Sequence, residues 1–347
     1  MKVAVMAENN FHWVENLRVI AIFSIILLHF SGPILYLYGH VPEHIWITGN
    51  IIDSCTRFAV PVFVMISGAL LLPKNEEIGY YLSRRLKRIL LPFLFWSVIY
   101  IALVIYKKSR LKPLSAADLA DNVFNLLKNG SAEHLWYVYM LIGLYLVIPV
   151  LRRWIQHCPQ KEIRFFLICW FITIAVEQPL LTGLKTAVSL SSFAGFMGYL
   201  VLGYYLSVNP AFSSQKAKTL SWLMIVSGIV ITISGTHYLT YTDGRFNGYF
   251  YGYLKPNTLL VASGVFVMAK NMLHCGTTLM VRFISRYSFG IYLAHILIMR
   301  ALDKLHINYN LLHPAVGIPL AAGLCLTLTA AVVFVVNKAP YGKYISG

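Results

Sequence analysis

The feature that most constrains this chain is the recurrence of long apolar runs separated by short polar gaps. Most of them approach the about 20 residues that a helix needs to cross a bilayer. Ten spans are expected, at roughly 17–38, 47–72, 89–106, 135–151, 163–180, 190–206, 219–239, 251–271, 287–302 and 314–337. Hydrocarbon offers no water to bond backbone N–H and C=O groups, so spanning segments of this length must satisfy themselves as helices. Charged residues make up 12% of the 347 residues, against about 25% in a soluble domain. An ordinary soluble globular fold is thereby excluded. Disorder is excluded as well, because 58% of the chain is hydrophobic. The expected fold is all-α, a polytopic integral membrane helical bundle of about ten transmembrane helices. It forms one domain over 1–347, with no soluble extracytoplasmic domain. The first run, from Leu17, is too long for a signal-peptide core and no A-x-A site follows it, so it is expected to stay as an uncleaved span.

Charge sets the expected topology. Lys and Arg number 29 against 13 Asp and Glu, a net +16. In a membrane protein such an excess points to cytoplasmic loops rather than to nucleic acid. With both termini cytoplasmic, 18 of the 29 basic residues fall on the inner side, among them Lys74, Arg84, Arg85, Lys87, Arg88, Arg152, Arg153 and Arg286. One loop dissents: residues 107–134 should lie outside, yet hold Lys107, Lys108, Arg110, Lys112 and Lys128. Within it, Ser115-Ala-Ala-Asp118 has the form of a capping box. Leu119, Val123, Leu126 and Leu127 follow at helical spacing, and Asn129-Gly130 closes the run. This predicts a short amphipathic helix along the outer interface. Its basic flank is either an exception to the charge rule or a contact for an anionic lipid-linked molecule.

Cys55, Cys158, Cys169, Cys275 and Cys325 are scattered with no CxxC, so neither a disulfide framework nor a metal site is expected.

Ionisable groups inside spans are costly and tend to face a cavity or a partner. Arg18 and His29 stand eleven residues apart in the first span. Eleven helical steps come to about 1100°, within roughly 20° of three turns, and advance about 16 Å. A cation near the inner end and a buried imidazole therefore share one helix face. That geometry suits a long anionic co-substrate entering from the cytoplasm, with His29 as general base or nucleophile. It also suits a structural histidine above an ordinary inner-face anchor.

Other groups follow the same logic. Arg57 is expected to pair with Asp53 four residues earlier, and Pro61 to interrupt the second span. Arg84, Arg85 and Arg88 form a cluster whose guanidinium forks suit phosphate oxygens. His134 opens the fourth span beside Glu133, where loop exposure should blunt any coupling between them. Glu177 ends the fifth span, and His295 sits about half-way through the ninth, level with His29. Two mid-membrane histidines on different helices argue for one polar cavity. Arg300 and Asp303 are expected to pair. The aromatic stretch 236–253 is either a sugar-stacking platform or a membrane belt.

Taken in order, several segments resemble the membrane acyltransferase-3 family of bacterial O-acyltransferases. They are Trp13-Val-Glu-Asn-Leu-Arg18, the R-x10-H pair, Val60-Pro-Val-Phe-Val-Met-Ile-Ser-Gly68, the arginines at 84–88, His134-Leu-Trp-Tyr137 with Pro149, and Ser288-Phe-Gly-Ile-Tyr-Leu-Ala-His295. The resemblance implies a multi-pass protein of the bacterial inner membrane. It would move an acyl group, most often acetyl, from cytoplasmic acyl-CoA to a hydroxyl of an envelope polysaccharide or lipid-linked glycan. Arg18 and His29 match the family's first-helix pair. Arg85 and Arg88 match its R-x-x-R motif, and the extra Arg84 leaves open which two of the three bind the donor. Arg57, His134, Glu177 and His295 are auxiliary candidates. Acetyl-CoA would be a co-substrate, with no permanently bound cofactor and no metal. Two rival classes remain at this stage: a transporter or flippase with proton-relaying histidines, and a non-catalytic component of a glycan assembly complex.

Overall fold

A computed structural model describes residues 12–111, 115–176, 195–274 and 276–347. Glu177, Lys112 and Cys275 lie outside the described residues. Among those described, the chain is helical throughout and contains no strand. The helices are α1 (His12–Leu35), α2 (Glu43–Thr56), α3 (Ala59–Leu71), α4 (Ile78–Leu111), α5 (Ala116–Asn129), α6 (Trp136–His157) and α7 (Gln160–Val176). They continue with α8 (Met197–Val208), α9 (Gln215–Asp243), α10 (Pro256–Met272), α11 (Leu279–Lys304), α12 (Pro314–Lys338) and α13 (Gly342–Ile345). Among the described residues, six stretches are long and apolar enough to cross a membrane: α1, α2 with α3, α4, α6 with the turn before it, α9 and α12. The other four expected spans overlap α7, α8, α10 and α11, and residues 177–180 of the fifth and 190–194 of the sixth lie outside the described residues.

Local chemistry explains most boundaries. Ser214 and Thr278 cap α9 and α11 by accepting the N–H groups of Ala217 and Val281. Pro256 and Pro314 open α10 and α12, where a missing N–H costs nothing. Gly244 ends α9 in the left-handed region at φ 64°. The capping box of α5 is formed as expected, from Ser115 and Asp118. The two backbone and hydroxyl bonds that Ser115 donates hold the Asp118 carboxyl below its usual range. Tyr139 ties α5 to α6 by donating to the Leu127 carbonyl at 2.6 Å, and Lys108 ties it to α4 by donating to Asn122.

The expected second span is two helices, broken at Arg57 and Phe58. Pro61 falls in the first turn of α3, so it starts the second helix rather than kinking one long one. The third span extends well beyond 89–106. At 1.5 Å per residue, the 34 residues of α4 reach about 51 Å, against a hydrocarbon thickness of about 30 Å. Both of its basic ends therefore project past the apolar layer.

At the centre stands α1, packed against α2, α3, α10, α11 and α12. Around it, α3 pairs with α8, α9 with α10, and α4 with α6. The α3–α8 crossing is close because glycines face backbone on both sides. A Cβ at Gly68 would lie 1.9 Å from the Leu200 carbonyl oxygen, and one at Gly203 would lie 2.1 Å from that of Met65.

The expected Arg300–Asp303 pair does not form. After α11 the chain reverses through His306 at φ 60°, which brings Asn308 back to donate to Asp303 at 2.8 Å. Arg300 is left lining a cavity instead.

Candidate active site

Three histidines meet between α1, α6 and α11. His29 comes from α1, His134 from the single turn Glu133–Leu135 before α6, and His295 from α11. Ring centroids lie 5.1 Å apart for His29 and His295, 5.1 Å for His134 and His295, and 6.4 Å for His29 and His134. His295 is fully buried, and His134 is 4% exposed. The expected loop exposure of His134 is thus corrected: the turn before α6 folds inward and seals the residue under α11.

Hydrogen bonds assign the ring nitrogens. His295 Nδ1 faces the Tyr292 carbonyl at 2.6 Å and must donate to it. His134 Nε2 likewise donates to the Leu293 carbonyl at 3.4 Å. In the neutral rings this leaves lone pairs on His295 Nε2 and His134 Nδ1, both buried and without a hydrogen-bond partner. Buried acceptors of this kind normally have a donor, so the cluster is built to meet a hydroxyl or an N–H. The scaffold behind it is tied down: Tyr100 donates to the Leu293 carbonyl at 2.9 Å, and Tyr292 donates to the His134 carbonyl.

Cavities open on two sides. On one side a volume of ≈ 610 Å³ is lined by Tyr36, Phe246, Tyr251 and Tyr253, with Glu133 and Arg300. Its wall includes the Asp53–Arg57 ion pair, which forms as the spacing predicts. Asp53 is fully buried and also accepts from Ser31 at 3.3 Å, while Arg57 lies 4.1 Å over the Tyr251 ring. The aromatic stretch divides its labour: Phe246, Tyr251 and Tyr253 face this cavity, whereas Tyr238 and Tyr241 face outward, 66% and 71% exposed. A smaller chamber of ≈ 90 Å³ shares His29, His134, Glu133 and Tyr253 with the aromatic cavity.

On the other side lies a cavity of ≈ 200 Å³ lined by Arg18, Arg85, Arg88 and Arg286, with no carboxylate among its lining residues. Tyr292 is the residue that lines both this cavity and the histidine chamber. Arg18 lines this cavity, and His29 lines the histidine chamber and the aromatic cavity. Of the three candidate arginines on α4, Arg85 and Arg88 line the cavity. Arg84 is 54% exposed, packs on Tyr80 and lies 3.9 Å from Glu76. Sequence reasoning did not single out Arg286 or Tyr292. Tyr292 had a signal, since it stands three residues before His295 and so shares its helix face. Among the described residues no group of three or more His, Cys, Asp or Glu could hold a metal ion. Cys55, Cys158, Cys169 and Cys325 are free.

Fold and site together define a polytopic membrane protein with an enclosed polar centre between a cationic and an aromatic cavity. The chain belongs to the acyltransferase-3 family: that family's model, described as an acyltransferase domain, matches residues 11–336. It is similar to the Bacillus subtilis (strain 168) protein named Putative membrane-bound acyltransferase YfiQ, with 22% identity over 358 aligned positions covering 95% of this chain and 92% of that protein. No solved structure matches the chain. The molecule is thus a membrane acyltransferase of this family.

Proposed function

We propose that the protein transfers an acyl group, acetyl in the first instance, from cytoplasmic acyl-CoA to a hydroxyl of a cell-envelope polysaccharide or lipid-linked glycan. It would do so in the bacterial inner membrane. The observation that carries this reading is the line of cavities: an arginine-lined pocket, a histidine chamber and an aromatic-walled pocket in sequence. Four arginines with no carboxylate suit a polyanionic donor, because guanidinium–phosphate bonds are charge-assisted and fork-shaped. Aromatic walls with a few polar groups suit a sugar.

In this reading the thioester passes Tyr292 to reach His29, and the acceptor hydroxyl enters from the aromatic side. The hydroxyl oxygen bonds to the carbonyl carbon as its proton goes to His29. The C–S bond then breaks, and that proton leaves with the thiolate as CoA thiol. An acyl-histidine route through His29 has the same overall balance. In this reading His134, which lines the chamber, holds the acceptor hydroxyl through its free lone pair, His295 backs the His29 ring, and Arg57, paired with Asp53, stands in the wall of the aromatic cavity.

The test is free-thiol release from acetyl-CoA by the purified protein in nanodiscs, with and without an envelope-glycan extract. Glycan-dependent release that His29→Ala lowers by about 10²–10⁴-fold supports the proposal. Release unaffected by the substitution, or no acetyl-CoA binding by the wild type, overturns it and favours the transporter class.

A further inference from the structure

Beside the arginine cavity lies a surface cleft of ≈ 440 Å³, lined by residues 75–78 and by Pro149, Arg152, Arg153 and Gln156 of α6. Of the residues that carry the family resemblance, Pro149 reaches it. The two places are linked by Glu76, whose carboxylate lies 3.9 Å from Arg85 of the cavity and 3.7 Å from Arg152 of the cleft. A third arginine, Arg84, stands 3.9 Å away. None of these contacts is a hydrogen bond. One carboxylate is therefore spread loosely among three guanidinium groups.

The consequence is a set of unmet donors. Arg152 is 4% exposed, yet its Nε and Nη2 have no hydrogen-bond partner, and neither does Arg85 Nε. Only Arg152 Nη1 is satisfied, by the Glu76 carbonyl at 3.2 Å. That single bond suffices to anchor the loop before α4, which Gln156 also holds by donating to the carbonyls of Leu72, Pro73 and Lys74. Loop anchoring thus leaves two Arg152 donors unused. A buried charge without its hydrogen bonds is expensive; the Arg152 guanidinium packs 4.8 Å over the Tyr81 ring, and the residue lines the cleft. The other acid in the cleft, Glu77, is already engaged, accepting the N–H groups of Gly79 and Tyr80 at 2.8 Å each. Nearby, partial burial and Arg85 hold the Lys74 ammonium below its ordinary range, a sign of crowded positive charge.

Size supplies the second argument. The arginine cavity, ≈ 200 Å³, is smaller than the about 300–1,000 Å³ typical of pockets that hold a whole organic ligand. It can take part of a CoA, and the rest must lie beyond it. Along CoA the order is thioester, pantetheine arm, diphosphate, then ribose with its 3′-phosphate. With the thioester toward His29, the diphosphate falls among Arg18, Arg85, Arg88 and Arg286, and the 3′-phosphate falls further out. We infer that the cleft at Arg152 and Arg153 is the subsite for the donor's 3′-phosphate, with Glu76 as the internal anion that the phosphate displaces. This rests on the acyl-CoA reading above and adds to it a residue set and a selectivity.

The chemistry recognised is a phosphate dianion, which a phospholipid headgroup could also supply, so the experiment separates the two sources. Binding of CoA and of 3′-dephospho-CoA is measured by calorimetry on protein in zwitterionic and in anionic nanodiscs. The wild type is expected to prefer CoA by about tenfold or more, as a charge-assisted site would. Arg152→Gln should bring that ratio close to one without weakening dephospho-CoA. Arg153→Gln, on an exposed position, should lower the ratio in a variant with no buried group disturbed. Glu76→Gln should tighten CoA by about threefold and dephospho-CoA by less, since the anion competes mainly with the 3′-phosphate. Equal losses for both ligands, or an unchanged ratio in all three variants, would overturn the assignment while leaving the donor reading intact. Preference for CoA that vanishes in anionic nanodiscs would give the cleft to lipid headgroups. A wild type that binds neither form would remove both proposals.

Discussion

At the scale of the residue, what spacing could reach was legible. Asp53 and Arg57 are four apart on one turn, and they pair. Arg300 and Asp303 offered a similar pattern and do not, because a later reversal of the chain supplies Asn308. Pairing of exposed groups depends on what else arrives, whereas a carboxylate with no access to water must keep the partner that its own helix gives it. The Asp53–Arg57 pair is accordingly expected to support the fold. Removing one partner of a buried pair costs about 3–5 kcal/mol. Arg57 is 17% exposed toward the cavity, so Asp53→Asn should fall at the lower end. A lowered unfolding midpoint in detergent, partly restored by Asp53→Leu with Arg57→Met, is the outcome to measure. An unchanged midpoint for Asp53→Asn would mean that the cavity solvates Arg57 well enough to replace its partner.

At the scale of the element, caps and apolar runs located the helices, and proline and glycine located the breaks. The capping box at Ser115 and the turn at Gly244 formed where their residues dictate. The length of α4 escaped the apolar pattern, because its ends are polar turns that continue the helix outside the hydrocarbon. The segment Val60–Gly68 by itself names no packing neighbour. That neighbour is α8, with Gly68 on Leu200 and Gly203 on Met65. The opposing atoms are backbone, which cannot swing aside like a side chain. Gly68→Ala should therefore cost about 1–3 kcal/mol by overpacking, read as a lower thermal midpoint. Gly143→Ala, where nothing lies within 4 Å of the added carbon, should leave the midpoint unchanged. Equal midpoints for both variants would show that α3 and α8 slide apart freely.

At the scale of the whole molecule, two cavities adjoin at one side chain. Tyr292 lines both the arginine cavity and the histidine chamber, and its hydroxyl is tied to the His134 carbonyl. Its ring also packs on those of Tyr137, His134 and His295. On the proposed acyl-transfer reading, a thioester held at the arginines meets this ring on its way to His29. Tyr292→Ala, which merges the two spaces, is expected to keep acyl-CoA binding within about threefold, because the arginines are untouched. It should raise the ratio of free-thiol release to acylated product severalfold, since water then reaches the thioester. Comparing thiol release with product formation reads that ratio directly. A parallel fall in both rates would mark Tyr292 as scaffold only.

The sequence by itself determined whatever depends on residues within a few turns of one another: the helical class, the apolar helices, the capping box at Ser115, the shared face of Arg18 and His29, and the Asp53–Arg57 pair. These follow from a period of 3.6 residues and from the cost of bare backbone in hydrocarbon, which act locally. Only the tertiary structure decided which side chains meet. The rotation of α4 about its own axis turns Arg85 and Arg88 into the cavity and leaves Arg84 outside. The inward turn before α6 buries His134 beside histidines that come from the two ends of the chain. Helix rotation and crossing are set by side chains on other helices, packed one against another across long stretches of sequence, and no local pattern carries that information.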